Sequence, residues 1–202
     1  LWSSCEDFLD AESESQISLT AFWKTRSDAE LGVAAIYDAA QKALETNFWI
    51  WGEIRGDNYI INDRPQPSPN ATITNNLNLS TNGADWTSLY TAIANANVAI
   101  ENIPEIPSFS NQNDLLAQAL ALRAWLYFYA VRVWGDVPKI KESLKEVVGE
   151  INQPRAPLSE IYEEIIFPDL QRAENLINTD VSKNFMSRGG VLALKAHIYA
   201  WP

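Results

Sequence analysis

Between Trp49 and Trp86 the chain places aromatic rings beside hydrogen-bonding side chains: Trp49, Trp51, Tyr59 and Trp86 with Asp57, Asn58, Arg64 and Asn76. Flat rings can cover the apolar C–H face of a ligand, while carboxylate, amide and guanidinium groups bond its hydroxyls. Asp57, Asn58, Arg64 and Trp86 are therefore the candidate ligand-binding residues, with Tyr59 and Asn76 as weaker members of the set. Each has a competing role that needs no ligand, and that role is the first expectation. Asp57 and Asn58 suit turns and caps. Trp86 opens an amphipathic helix and suits its core face. Trp49 and Trp51 alternate with Ile50, so one ring is expected to face the core and the other solvent.

Other residue types limit the chemistry. Arg123 lies in an apolar helical stretch, where an unpaired charge would be costly; Glu53 or Glu101 is expected to supply a structural ion pair. Asn95 and Asn97 are expected to hydrogen-bond backbone of the long loop. The acids Glu160, Glu163, Glu164, Glu53 and Asp57 would suit a carboxylate glycosidase. Acids three or four apart on a helix are more simply a solvated face, so no catalytic residue is assigned. One histidine, His197, and one cysteine, Cys5, leave little for a histidine-based metal site, a Ser-His-Asp hydrolase or an internal disulfide. No phosphate-binding, dinucleotide or calcium-loop pattern is present, and neither metal nor cofactor is expected. A net charge of −11 supplies no basic face for nucleic acid.

The elements that must hold these residues are helical. The chain has 202 residues, 47% apolar and 20% charged, which fits a globular protein with a sizeable core. Five amphipathic blocks stand out. The first starts with the capping box Ser27-Asp28-Ala29-Glu30 and carries Ala29, Val33, Ile36, Tyr37, Ala40 and Leu44. The second follows Asp85 as N-cap, with Trp86, Leu89, Tyr90, Ile93, Ala94, Asn97 and Ile100 on one face, and Pro104 and Pro107 stop it. The third, Asp114 to Trp134, is apolar nearly all round and should be a buried central helix ended by Gly135. The fourth starts near Pro157, and Pro168 should kink or split it. The fifth follows Ser187. The Asn-, Pro- and Ser-rich stretch 48–84 lacks helical periodicity and should be a long loop insertion. Gly135 to Ala156 is a shorter connector. The expected fold class is all-α, with helix-turn-helix pairs stacked as in tetratricopeptide (TPR) arrays beside long irregular loops.

Leu1-Trp2-Ser3-Ser4-Cys5 can be read as the end of a lipoprotein signal with Cys5 lipidated, or as a free cysteine in a frayed terminus. No apolar run is long enough to span a membrane. Residues 1–26 are expected to be an exported N-terminal segment and residues 27–202 a helical domain cropped at its C-terminus.

Read in order, several segments resemble the SusD/RagB-like family of outer-membrane nutrient-binding lipoproteins. They are Cys5-Glu6-Asp7-Phe8-Leu9-Asp10, Phe22-Trp23-Lys24-Thr25 with Asp28-Ala29, and Gly52-Glu53-Ile54-Arg55-Gly56-Asp57-Asn58. Further along come Trp86-Thr87-Ser88-Leu89-Tyr90 through Ala96-Asn97 to Ile100-Glu101, then Leu122-Arg123-Ala124, Tyr127-Phe128 and Trp134-Gly135-Asp136-Val137-Pro138. The resemblance implies a longer parent protein, anchored to the cell outer membrane by lipid on Cys5. It implies a non-enzymatic role: capture of an oligosaccharide at the surface for a SusC-type TonB-dependent transporter. The alternatives are a TPR-type interaction scaffold without direct ligand binding and, behind it, a carboxylate glycoside hydrolase.

Overall fold

The structure is a computed structural model. It describes residues 22–45, 47–56, 58–60, 70–78, 80–81, 83–143, 153–178 and 184–201. Cys5, Asp57 and Arg64 lie outside the described residues.

The architecture is all-α. Its elements are α1 (Arg26–Leu44), α2 (Asn47–Gly52), α3 (Asn70–Ile73), α4 (Thr87–Asn102), α5 (Gln112–Trp134), α6 (Leu158–Ile161), α7 (Phe167–Leu176) and α8 (Arg188–Ala200). The strands β1 (Val137–Pro138) and β2 (Arg155–Ala156) pair antiparallel, with Val137 opposite Ala156 and Pro138 opposite Arg155. Helix α1 packs on α4, α4 on α5, and α5 on α7, with α8 closing more lightly on α7. These are TPR-like pairs around one core. Among the described residues no helix is long and apolar enough to cross a membrane.

Helix α5 is that core's axis. Every residue from Leu115 to Ala124 is buried, including Gln118 and Arg123, and Leu126, Tyr127 and Phe128 follow. A helix apolar on all sides has no solvent face to spare, so its neighbours must surround it. Gly135 ends it at φ +70°, a backbone state that L side chains avoid. Helix α1 buries Ala29, Val33, Ile36 and Ala40 as its periodicity requires. Helix α4 buries Leu89, Ala92, Ile93, Ala96 and Ala99, whereas Ala94, expected on the buried face, is exposed.

Three local expectations are corrected. The capping box of α1 is Thr25–Asp28, not Ser27–Glu30. Thr25 Oγ1 accepts from the Asp28 N–H at 3.3 Å, and Asp28 Oδ2 accepts from the Thr25 N–H at 2.7 Å. The Trp23 ring packs onto α1 at Gly32, where a Cβ would collide with Trp23 Cη2. At α4 the formal N-cap is Trp86, and Asp85 serves from one residue further out, accepting from the Thr87 N–H at 2.9 Å and Thr87 Oγ1 at 2.7 Å. The stretch 48–84 is not wholly irregular, because α2 and α3 lie within or across its ends.

Pro168 acts through a π turn. Tyr162–Ile166 is a π-helical turn, and the Phe167 N–H bonds Tyr162 O, five residues back. The wider turn accommodates a ring that would otherwise crowd the preceding carbonyl, so α6 and α7 run on without a break.

Candidate functional site

Two polar constellations organise the molecule, and they differ in completeness. The first is buried. Arg123 Nε donates to Asp169 Oδ2 at 2.7 Å and Nη2 to Asp169 Oδ1 at 2.8 Å. Nη1 donates to Asn97 Oδ1 at 2.8 Å and Lys141 O at 3.1 Å. Arg123 and Asp169 are each 5% exposed. The expected ion pair is present, but its acid is Asp169, not Glu53 or Glu101. Burial pushes the Asp169 carboxyl up, and the Arg123 guanidinium pulls it back. Asn97 Nδ2 donates to Ile140 O at 3.0 Å, so it holds the 135–156 connector rather than the 48–84 stretch, while Asn95 Nδ2 reaches Ala35 O on α1.

The same connector is strapped at further points. Tyr127 Oη donates to Ile140 O at 2.9 Å and accepts the Ile140 N–H at 2.8 Å. Burial pushes the Tyr127 hydroxyl up to about 12. Tyr90 Oη donates to Pro138 O at 2.6 Å, and the Glu101 carboxylate accepts the Ser143 N–H and hydroxyl at 2.6 Å each. A connector held this way brings β2, and with it Arg155, back to the end of α5.

The second constellation surrounds a cavity of about 630 Å³ between α2, the 72–86 segment, the end of α5 and β2. Its wall carries Trp51, Trp86 and Trp134. The rings of Trp51 and Trp134 meet edge-on with centroids 5.1 Å apart, and those of Trp86 and Trp134 at 5.8 Å. Trp51 Nε1 donates to Gly83 O at 2.8 Å and Trp134 Nε1 to Ala84 O at 3.1 Å. These bonds fix the planes of two indoles. Gly83 makes room for them: at φ +82°, a Cβ there would sit 2.8 Å from Ile50 Cγ2 and 3.0 Å from Trp51 Nε1.

Arg155 Nη1 donates to Asp136 O at 3.1 Å and Trp134 O at 3.5 Å, and its Cζ stands 4.8 Å from the Trp86 ring centroid. Arg55 also lines the cavity, with Nη2 donating to Asn75 Oδ1 at 3.3 Å. Thr72 is 3% exposed in the wall, and its hydroxyl has no hydrogen-bond partner among the described residues. Asp85 is the acid in the lining, and the Thr87 hydroxyl and N–H hold its carboxyl below the usual range. Among the described residues no group of three or more His, Cys, Asp or Glu is placed to hold a metal ion.

Of the residues nominated from sequence, the structure brings Trp86 to this cavity. Asn58, Tyr59 and Asn76 are exposed on the segments around it and do not line it; the Asn76 N–H closes a turn on Ala71 O at 2.8 Å. Trp51 is half-buried in the wall and Trp49 is 54% exposed, so one ring faces in and the other out, but on a helix rather than a strand. Trp134, Arg55, Arg155 and Thr72 also line the cavity and are not among the sequence candidates. Trp134 reads as helix packing, and Arg55 stands in the Gly52–Asn58 segment. Arg155 and Thr72 carry no signal until distant segments meet. Glu160 and Glu164, from the glycosidase reading, ion-pair with Lys139 at 2.8 and 3.0 Å. His197 is exposed on α8 and rests edge-on against Phe128 with centroids 5.3 Å apart.

A helical-pair scaffold that presents an indole-walled cavity agrees with the relationships of the chain. Residues 7–199 match the SusD-like family described as starch-binding associating with outer membrane, and the chain belongs to that family. It is 41% identical over 201 residues to SusD-like protein P38 of Formosa agariphila, covering 98% of this chain and 39% of that protein. SusD-like protein P2 of the same organism is 31% identical, with 89% and 37% covered. A SusD superfamily protein of Bacteroides thetaiotaomicron superposes with a TM-score of 0.76 at 26% identity, covering 89% of this chain and 44% of that one. A laminarin-binding SusD-like protein shares the fold at a TM-score of 0.75 and 24% identity, with 88% and 40% covered. The chain thus spans about two fifths of the length of the curated relatives P38 and P2.

Proposed function

We propose that this chain is the N-terminal part of an outer-membrane surface lipoprotein that captures an oligosaccharide and passes it to a SusC-type TonB-dependent transporter. It is a binding protein and not an enzyme in this reading, anchored by lipid on Cys5. The observation that carries it is the cavity of about 630 Å³ walled by Trp51, Trp86 and Trp134. Two of its indoles are oriented by backbone carbonyls, so their faces are set before any ligand arrives. Pre-set aromatic faces lower the entropy cost of gripping a pyranose ring. Family membership supports the same role.

Calorimetric titration of the full chain against a glycan panel tests the reading, with laminarin oligosaccharides among the neutral members. Replacing Trp86 by Ala should weaken binding about tenfold or more, as for a central aromatic contact. Absence of binding across the panel, or binding indifferent to Trp86, would count against the cavity as the glycan site. Fatty-acid labelling that Cys5→Ala abolishes would support the anchor, and co-purification with a transporter from membranes would support the partnership. Loss of neither label nor transporter contact on the matching controls would remove those parts.

A further inference from the structure

We propose that the cavity selects an anionic glycan, one whose sugar carries a carboxylate or a sulfate ester, held by Arg155 and Arg55 against the Trp86 wall. This rests on the reading of the cavity as a glycan site and adds the chemical class of its ligand.

The argument starts from which polar groups the cavity leaves unused. The Trp51 and Trp134 indole N–H groups are spent on Gly83 O and Ala84 O. Asn78 Oδ1 accepts the Ser80 N–H at 2.8 Å, and Thr81 Oγ1 accepts the Asn78 N–H at 2.9 Å. What remains includes the Thr72 hydroxyl, a single neutral group, and the more numerous guanidinium donors. An arginine has five N–H donors. Arg155 uses Nη1 on two backbone carbonyls, and Arg55 uses Nη2 on one side-chain amide.

Neither guanidinium has a carboxylate within 4.0 Å among the described residues, although the chain has 26 acids to 15 Lys and Arg. Several cations tied into the packed helices find acids. Lys139 takes Glu160 and Glu164, Lys195 takes Glu174, and Arg123 takes Asp169. Asp85 is the countercharge in the lining, and its Oδ1 already accepts both Thr87 donors.

A neutral sugar seated against the two guanidiniums would offer them only neutral acceptors. A carboxylate or sulfate returns charge-assisted, bidentate bonds to the same forks. Arg155 is also braced over the Trp86 ring, which holds the guanidinium at the cavity wall. The net charge of −11 does not forbid this. At physiological ionic strength, charges beyond about 8 Å are largely screened, so the local pair decides.

The experiment is calorimetric titration of the full chain with three oligosaccharides of matched length: a hexuronate oligomer, a sulfated oligomer of a neutral sugar, and the unsulfated neutral oligomer. Each is run at low and physiological salt, on wild type, Arg155→Gln and the Arg55→Gln/Arg155→Gln pair, with thermal melts to confirm folding. At least one anionic ligand should bind about tenfold or more tighter than the neutral one, and the tighter arm names the anion. Added salt should erode that preference, and the double replacement should abolish it. Arg155→Lys should keep the salt dependence with a smaller preference, because it retains charge without the fork. Neutral binding as tight as anionic, or a preference that survives the double replacement, overturns the charge inference and leaves the glycan site standing. No binding by any of the three and none in the wider panel overturns both.

Discussion

Arg123 and Arg155 are held in opposite ways. Arg123 is enclosed by α4, α5, α7 and the connector, and its carboxylate, amide and carbonyl acceptors all come from the protein. Arg155 leans on two carbonyls and a ring face in the wall of a cavity and has no carboxylate within 4.0 Å among the described residues. A charge whose partners are complete serves the fold, since removing any partner strands the rest in low dielectric. A charge left with open donors at a cavity is free to bond a ligand there, which is what the proposed anion site requires. The same residue type is thus structural in one place and available in the other, and what separates the two is the count of satisfied donors.

The largest expected effect tests that contrast on stability. Asp169→Ala removes the bidentate acceptor and strands a buried guanidinium, which should cost about 3–5 kcal/mol. Arg155→Gln should cost about 1 kcal/mol or less, because its exposed side chain can rehydrate. Urea unfolding of both variants measures the gap. Similar losses for the two would mean that Arg155 is a structural residue after all.

A smaller effect probes how rigid the cavity wall is. Gly83→Ala places a Cβ against Ile50 and Trp51 at a φ of +82°. The left-handed backbone alone costs about 1–2 kcal/mol. The crowding should also push the Trp51 indole from its bond to Gly83 O, visible as a changed near-ultraviolet circular dichroism signal. A variant with wild-type stability and an unchanged aromatic spectrum would show that the wall yields, and that its indoles are not pre-set.

Much of the fold was legible in the sequence because helical periodicity is a local signal. The all-apolar run into Trp134, the Gly135 stop and the Ser187 cap, whose hydroxyl accepts the Gly190 N–H at 3.3 Å, all stand where the pattern puts them. The start of α1 is misplaced by the sequence pattern, because Ser27–Glu30 has the capping-box spacing but Thr25–Asp28 is the pair that bonds. Arg123 announced a partner but not which one. Asp169 follows a π turn, which shifts the face of every later residue, so no helical wheel started at Pro157 aims it correctly. The cavity was harder still. Trp51, Thr72, Trp134 and Arg155 come from segments far apart in sequence, and only their meeting makes a site. Trp86 is legible because it stands among polar neighbours at a helix start, whereas Trp134 reads as packing because it ends an apolar helix.

The smallest effect takes the contrast to the surface, where one carboxylate oxygen collects three donors outside the core. Asp28 Oδ2 accepts from the Lys24 and Thr25 N–H groups at 3.1 and 2.7 Å and from the Thr25 hydroxyl at 2.7 Å. The Thr25 hydroxyl bond, ahead of the other contacts, holds this carboxyl below its usual range. Asp169 moves the other way because burial dominates there. A lowered folded-state value means that the stabilisation from Asp28 is present above the ordinary aspartate value of about 4. It is lost as pH falls through the lowered value. Asp28→Asn should therefore lower the melting temperature slightly at neutral pH, and the gap to wild type should close as the melts are repeated toward pH ~2–3, below the reference value. A gap that stays constant across that range would mean that the cap acts through its geometry alone, with no contribution from the carboxylate charge.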